Sequence, residues 1–491
     1  MRMRTGALVL GVALFSGACK DSFVPNYNNP VQQDYSVVKS RSQLQAQMTG
    51  LIDADRGSND LGSIHDFEIL VEETIGRDLY RLDNAEPRYI TTPLGSTSPS
   101  KTNFIGSGIF TGPYRNIRYA ELVDSAVSQA QINEAVEAPL SEAEKQGVYG
   151  VAGTIKALEY IRLIETRDTA GVPIALGNDT KPDPVRCKPA VLDYISAVLD
   201  SAAANLAAGG NAFAFELPPG FSNHGNFNTP ATFLKFNRAL KAKVEVYRAF
   251  AGFEFDSATV NTAALDAAQA ALNASFYEQN GDLTTGVYHT YSTASGDLAN
   301  PLFDKSVIRV NPRVVTEAQA GDRRVAAKVE LDPAIVDANV KTVRSATSGY
   351  LDKVYTSPLT PIAIIRNEEL IYLQAEIYFG RGVANNDPAM LEQALVTVNR
   401  IRTDPSVGLP ALHITNFGGG VGKANYMAII KQILRDKRYS LLLESPSRHV
   451  DARMFGVLVD LGKERGFNPI HNLPIPANEV LARGGDIACQ P

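Results

Sequence analysis

The run Gly418-Gly419-Gly420-Val421-Gly422-Lys423-Ala424 comes nearest to a phosphate-binding loop, in which glycine amides and a lysine cradle phosphate oxygens. The pattern fails at both ends. Phe417 stands where the first glycine belongs, and Ala424 replaces the Ser or Thr that would ligate magnesium, so a connector ahead of a helix is expected. The histidines His65, His224, His289, His413, His449 and His471 are scattered and make no HExxH or other close metal pair. No metal centre and no cofactor is therefore expected, and no GxSxG elbow points to a serine hydrolase. Adjacent carboxylates occur at Glu72-Glu73 and Glu368-Glu369. Neighbours on a helix point about 100° apart, so neither pair is a ready acid/base dyad, and solvated faces are expected for both. Two distant carboxylates brought together by the fold could still hydrolyse a glycoside, and that reading stays open.

The cysteines carry a different chemistry. Arg2 and Arg4 precede an apolar run from Ala7 to Phe15, and Ser16, Gly17 and Ala18 lead to Cys19. This has the parts of a secretory signal over residues 1–18. The apolar run would span roughly 14 Å as a helix, about half a hydrocarbon core, which is too short for a stable anchor. The small-small-Cys ending resembles a bacterial lipobox, with Ser16 in the place usually held by Leu, so Cys19 is expected to carry lipid. A polar stretch through Asn26-Tyr27-Asn28-Asn29-Pro30 follows, and residues 19–34 read as a flexible tether. In an oxidising compartment the other two cysteines, Cys187 and Cys489, could form a disulfide, the alternative being two buried thiols.

Beyond the signal no run is read as long and apolar enough to span a bilayer as a helix. Removing Arg2 and Arg4 takes the formal charge from −6 to −8, which offers no basic footprint for nucleic acid.

The body that must position any site reads as mainly α. Periods of three and four place helices near 38–55, 113–131, 141–166, 190–207, 230–253, 261–274, 363–380, 388–403 and 424–444. Ser141 with Glu144, and Asp387 before Pro388, are starting signals. Alanine-rich helices of this kind pack closely in hairpins and solenoids, although no clean repeat is visible. The segments 76–112, 209–229 and 280–360 are polar, aromatic-dotted and weakly periodic. Connections that long usually carry function.

The C-terminal helices hold a recognisable pattern. Arg366, Glu369, Ala375 and Glu376 lie on one helix, and Asn399, Ile401 and Arg402 on the next. Arg435-Asp436-Lys437-Arg438, Leu441, Glu444, Arg448, Asp451, Arg453 and Gly456 follow, then Leu473-Pro474-Ile475-Pro476. In this order the residues resemble the signature of the SusD/RagB family of outer-membrane nutrient-uptake lipoproteins. Ser440 in place of a usual Glu, and Ser445-Pro446 in place of a Glu-Gly turn, are departures. Most of these motif residues are expected to brace helices through charge pairs three and four apart rather than to touch ligand.

The resemblance implies a tetratricopeptide-like helical hairpin scaffold with a loop-rich irregular face over 35–491. Its helical parts lie near 35–280 and 361–491, around a loop-rich insertion near 280–360. It further implies a lipid-anchored, surface-exposed protein of the outer membrane that captures an oligosaccharide or a peptide without chemistry. The ligand would pass to a SusC-like TonB-dependent transporter. Sugar capture favours aromatic faces beside amides and charged groups. The chain has no tryptophan, so Tyr and Phe must serve. From loop position and side-chain chemistry the candidates are Arg77, Asp78, Tyr80, Arg88 and Tyr89 in the first long loop, and Tyr288 and Tyr291 in the later one.

Overall fold

The structure, a computed structural model, describes residues 36–57, 64–97, 99–175, 182–333, 341–485 and 488–491. Cys19 and the expected tether lie outside the described residues. Apolar residues spaced three and four apart form α1 (Arg41–Arg56), α2 (His65–Ile75), α3 (Arg88–Thr91), α4 (Phe104–Ser128), α5 (Glu142–Arg167), α6 (Lys188–Ala207), α7 (Pro230–Ala249) and α8 (Thr262–Asn273). The chain continues through α9 (Pro312–Thr316), α10 (Arg323–Lys328), α11 (Asn367–Asn385), α12 (Pro388–Arg402), α13 (Lys423–Ser440), α14 (Ser447–Met454) and α15 (Ala477–Ala482). Caps fix the starts. Ser141 and Glu144 form a reciprocal capping box on α5, and Asp387 accepts from the amides of Ala389 and Met390 at the start of α12.

Helices α4 to α8 pack each on the next in chain order, and α11 closes on α7 and α8 while carrying α12 and α13. The result is a mainly α, tetratricopeptide-like stack. Small residues allow the backbones to approach. A Cβ on Gly150 would lie 2.5 Å from Leu206 Cγ, and one on Gly153 would lie 3.1 Å from the Ala202 Cβ, where α5 crosses α6. Helix α6 corrects one expectation, because it is long and apolar enough to cross a membrane by length and composition. It buries Val191, Leu192, Ile195, Leu199 and Leu206 in the stack. Outward, its Asp193 and Asp200 pair with Arg248 and Arg238 of α7.

The long connections are less irregular than their sequence suggests. They contain β1 (Leu79–Arg81), β2 (Val172–Pro173), β3 (Val185–Arg186), β4 (Gly286–His289), β5 (Ile308–Val310), β6 (Val329–Leu331), β7 (Lys341–Val343), β8 (Ala346–Ser348), β9 (Tyr350–Asp352) and β10 (Ile362–Arg366). One sheet runs β1-β5-β9-β6, with Tyr80 opposite Arg309, so the first long loop is stitched to the third. This sheet closes over its own apolar cluster, which includes Leu79, Ile308, Val310, Val314 and Tyr355. At the other end of the chain, Cys187 and Cys489 are disulfide-bonded. The Gln490 amide donates to the Val185 carbonyl at 2.8 Å, which lays the tail alongside β3.

The interior holds many charges, which corrects the expectation of solvated acidic pairs. Glu72, Glu73, Glu368 and Glu369 are all buried. Glu72 Oε2 lies 2.5 Å from His449 Nδ1, and Glu369 pairs with Lys243 at 3.3 Å. The motif residues brace helices as expected, but they do so between elements rather than along one helix. Lys437 on α13 reaches Glu376 on α11 at 2.8 Å and Asp451 on α14 at 3.0 Å. Arg402 on α12 holds both oxygens of Asp436 at 2.8 Å, and Arg366 Nε donates to Glu444 at 2.8 Å. A parallel set serves the N-terminal half, where Arg162 joins Asp55 at 2.7 Å and Glu68 at 2.9 Å. The paired ions stay buried because each meets a partner of opposite charge and most of its hydrogen bonds, whereas burial raises the Glu73 carboxyl well above its ordinary value.

Candidate functional site

At the seam between the stack and the small sheet lies a hollow of about 300 Å³. Four elements bring its main side chains together. Helix α2 supplies Phe67, β1 supplies Arg81, the short α3 supplies Tyr89, and the first residue of α4 is Phe104. Asn103 sets the last of these, because its Oδ1 accepts from the Ile105 amide while its Nδ2 donates to Thr92 Oγ1. The rings meet edge to face: Tyr89 and Phe104 have centroids 5.3 Å apart at 81°, and Phe67 and Tyr89 lie 6.3 Å apart at 90°. The Arg81 guanidinium sits 4.4 Å from the Tyr89 ring centre, and that of Arg88 sits 4.6 Å from Phe104. Partial burial raises the Tyr89 phenol above its ordinary value, so it is neutral and can both donate and accept. The Arg81 Nε has no hydrogen-bond partner among the described residues. Asp66 is the single carboxylate on the wall among the described residues. Aromatic faces and a cation suit a ligand with apolar C–H faces and hydroxyls.

Of the loop candidates, the structure places Tyr89 on this hollow, sets the exposed Arg88 over the Phe104 ring without lining the hollow, and buries the others. Arg77 is fully buried, donates to the Ile75 and Leu94 carbonyls at 3.0 and 3.3 Å, and has its guanidinium lowered to about 10 by burial. Asp78 sits inside, held by Arg438 at 2.6 Å and by Arg448. The Tyr80 hydroxyl donates to Glu464. Tyr288 donates to the Thr284 carbonyl at 2.7 Å and packs its ring on His224 at 4.2 Å. Tyr291 is 6% exposed, beneath Arg56. The pairing of β1 with β5 and of β4 with β10 turned these loop positions into interior ones.

Sequence reasoning missed Phe67, Arg81 and Phe104. The helix read as starting near 113 begins at Phe104 instead, with Pro113 inside it. Glycines at 106, 108 and 112, together with that proline, weaken the helical signal over its first three turns. The glycine run before α13 is a connector, ending at Gly422 directly ahead of the helix. No group of three or more His, Cys, Asp or Glu among the described residues is placed to hold a metal.

A charge-braced helical stack with a small sheet folded onto it defines a class, the SusD-type fold, and the chain has that fold. A SusD superfamily protein from Bacteroides vulgatus is 15% identical, with 90% of this chain and 97% of that one covered at a TM-score of 0.60. A SusD-like carbohydrate-binding protein from Bacteroides fragilis is 14% identical, covering 86% and 88% at 0.59. A laminarin-binding SusD-like protein is 16% identical, covering 90% and 98% at 0.56. Neither a family sequence model nor a curated protein sequence matches the chain, so the likeness lies in the fold.

Proposed function

We propose that this chain is a non-catalytic, surface-tethered nutrient-binding protein that captures an oligosaccharide and delivers it to a SusC-like TonB-dependent outer-membrane transporter. The observation that carries the reading is the aromatic hollow of Phe67, Tyr89 and Phe104, set in a fold shared with proteins named for carbohydrate or laminarin binding. Stacking on such rings and hydrogen bonds to Arg81 would hold a sugar by its apolar face and its hydroxyls at once. Two-carboxylate hydrolysis needs a second acid across the scissile bond, and among the described residues this hollow offers Asp66 alone. Binding without turnover is therefore the reading adopted.

In this reading residues 1–18 are removed, lipid on Cys19 anchors the chain, residues 19–34 form a leash, and the body from 35 onward captures the ligand. Calorimetric titration of the full chain in mild detergent against a panel of oligosaccharides and peptides tests the capture. Binding with no new reducing ends supports the proposal, and cleavage of any bound glycan would overturn the non-catalytic part. Cys19→Ala should leave the membrane fraction yet still fold. Failure to recover a large β-barrel protein with the lipidated chain would remove the transporter from the scheme.

A further inference from the structure

Helix α4 does not end its exposed stripe at the aromatic hollow. Phe104, Gly108, Thr111, Arg115 and Tyr119 follow at spacings of four, three, four and four, which keeps them within one narrow face of a helix. Phe104 and Gly108 line the hollow described above, whereas Arg115 and Tyr119 line a second one of about 490 Å³. Two other elements pass both hollows in the same order. Ile64 borders the second and Phe67 the first, and Leu298 borders the second while Leu302 borders the first. Beyond Gly108, which is half-buried and without a side chain, the stripe offers the small, exposed Thr111 between the hollows.

The second hollow carries unused polar groups of its own. Asn116 is 2% exposed and donates its Nδ2 to the Leu51 carbonyl at 3.1 Å and to Glu159. Asn116 lines this hollow, and its Oδ1, buried behind the surface, has no hydrogen-bond partner among the described residues. Arg115 is exposed, with neither a hydrogen bond nor an ion pair among them. Arg56 is already engaged, by Asp297 at 2.7 Å and by the Thr290 carbonyl at 2.9 Å. A polyhydroxylated chain can accept from the exposed Arg115, and a hydroxyl that displaces the cover of Asn116 Oδ1 can donate to it.

We propose that the two hollows are the ends of one groove along α4, built for a linear oligosaccharide that stacks a ring on Tyr89 and Phe104 and lays its far end against Asn116 and Arg115. The inference rests on the saccharide-capture reading and adds to it a ligand shape and a second subsite. From Phe104 to Tyr119 the helix rises about 22 Å, far longer than a disaccharide needs. Affinity should therefore grow with chain length until the groove is full.

The test is calorimetry of the full chain with linear oligosaccharide ladders, each from disaccharide to octasaccharide, drawn from several plant and algal glucans and mannans. Phe104→Ala should weaken every length. Arg115→Ala should leave disaccharide binding unchanged and weaken the longest ligands roughly tenfold, as expected for losing a charged hydrogen bond. Thr111→Arg, at an exposed position between the hollows, should reduce the affinity of long chains to that of the disaccharide. If Arg115→Ala and Thr111→Arg leave length dependence untouched while Phe104→Ala weakens binding, the groove is wrong and the first hollow stands. If no ladder binds, if peptides bind instead, or if Phe104→Ala has no effect, the saccharide reading beneath it fails.

Discussion

Two regions of this molecule use charged residues in opposite ways. In the C-terminal helices, Glu376, Arg402, Asp436, Lys437 and Asp451 are nearly devoid of solvent contact and each meets a partner of opposite sign. Around the aromatic hollow, Arg81 and Arg88 lie over rings, and their ion pairs, with Asp83 at 3.5 Å and with Glu86, are partly solvated. Charges in the first region are matched and locked, so substitution there acts on stability. In the second, Arg81 keeps an unused hydrogen-bonding nitrogen, so on the proposed reading substitution there acts on ligand. Motif density along the sequence therefore marks the brace, and the candidate site is the hollow where the motif residues are absent.

The comparison breaks most readily at Lys437. Lys437→Met strands Glu376 and Asp451 beside one another, and removing one partner of a buried pair costs about 3–5 kcal/mol, read as a lower urea midpoint. Replacing all three by apolar residues of similar volume should recover most of the loss, since it is the unmatched charge that destabilises. A smaller effect belongs to the chain end. Cys187 and Cys489 are 302 residues apart, so Cys187→Ser with Cys489→Ser should lower stability by about 2–4 kcal/mol in denaturant titration, leaving the hollow intact.

These differences mark how far the sequence could be read. Helices with an apolar stripe and a cap were legible, α5 by Ser141 and Glu144 and α12 by Asp387 and Pro388. Helix α2 was not, because every residue except Phe67 is buried and Glu68, Glu72 and Glu73 break the apolar period. The sheet was invisible for another reason. Strands of three residues are too short to alternate, and β1 finds β5 more than 200 residues away. That pairing explains the candidate site as well. Loop position and side-chain chemistry point to these tyrosines alike, yet Tyr80, Tyr288 and Tyr291 are core because the loops pair, and Tyr89 stays half-open on a single turn of helix. Phe104 and Phe67 came from helices whose starts the sequence concealed.

Asp124 sharpens the contrast between matched and unmatched charge. Its Oδ1 has no hydrogen-bond partner among the described residues, and the nearby Lys156 is engaged by Glu121 at 2.9 Å. Burial raises this carboxyl to about 7, against about 3.9 in an unfolded chain. Between those values the folded state binds the extra proton, so stability falls as pH rises from about 4 to 7 and stays lower above. Asp124→Asn should therefore raise the melting temperature at pH 8 and leave it unchanged at pH 3.5. An equal gain at both would show that the carboxylate is not the cause.

The smallest expected stability effect carries the most functional weight. Tyr89 is half-buried on α3, its ring packed against Phe67, Phe104 and the Arg81 guanidinium. Among the described residues its hydroxyl braces no other element, unlike those of Tyr80 and Tyr288, which donate to Glu464 and to the Thr284 carbonyl. Tyr89→Ala should thus change unfolding free energy by no more than about 1 kcal/mol, whereas Tyr80→Ala, which empties a buried site, should cost about 3–5 kcal/mol. In a binding titration the order reverses: Tyr89→Ala abolishes saccharide binding at concentrations that saturate the unaltered protein, and Tyr80→Phe leaves affinity within about twofold, less than 0.5 kcal/mol. The pair separates a tyrosine that holds the fold from one that faces the ligand. If Tyr89→Ala bound as well as the parent, the hollow would be a packing defect between stack and sheet, and the two regions would no longer differ in kind.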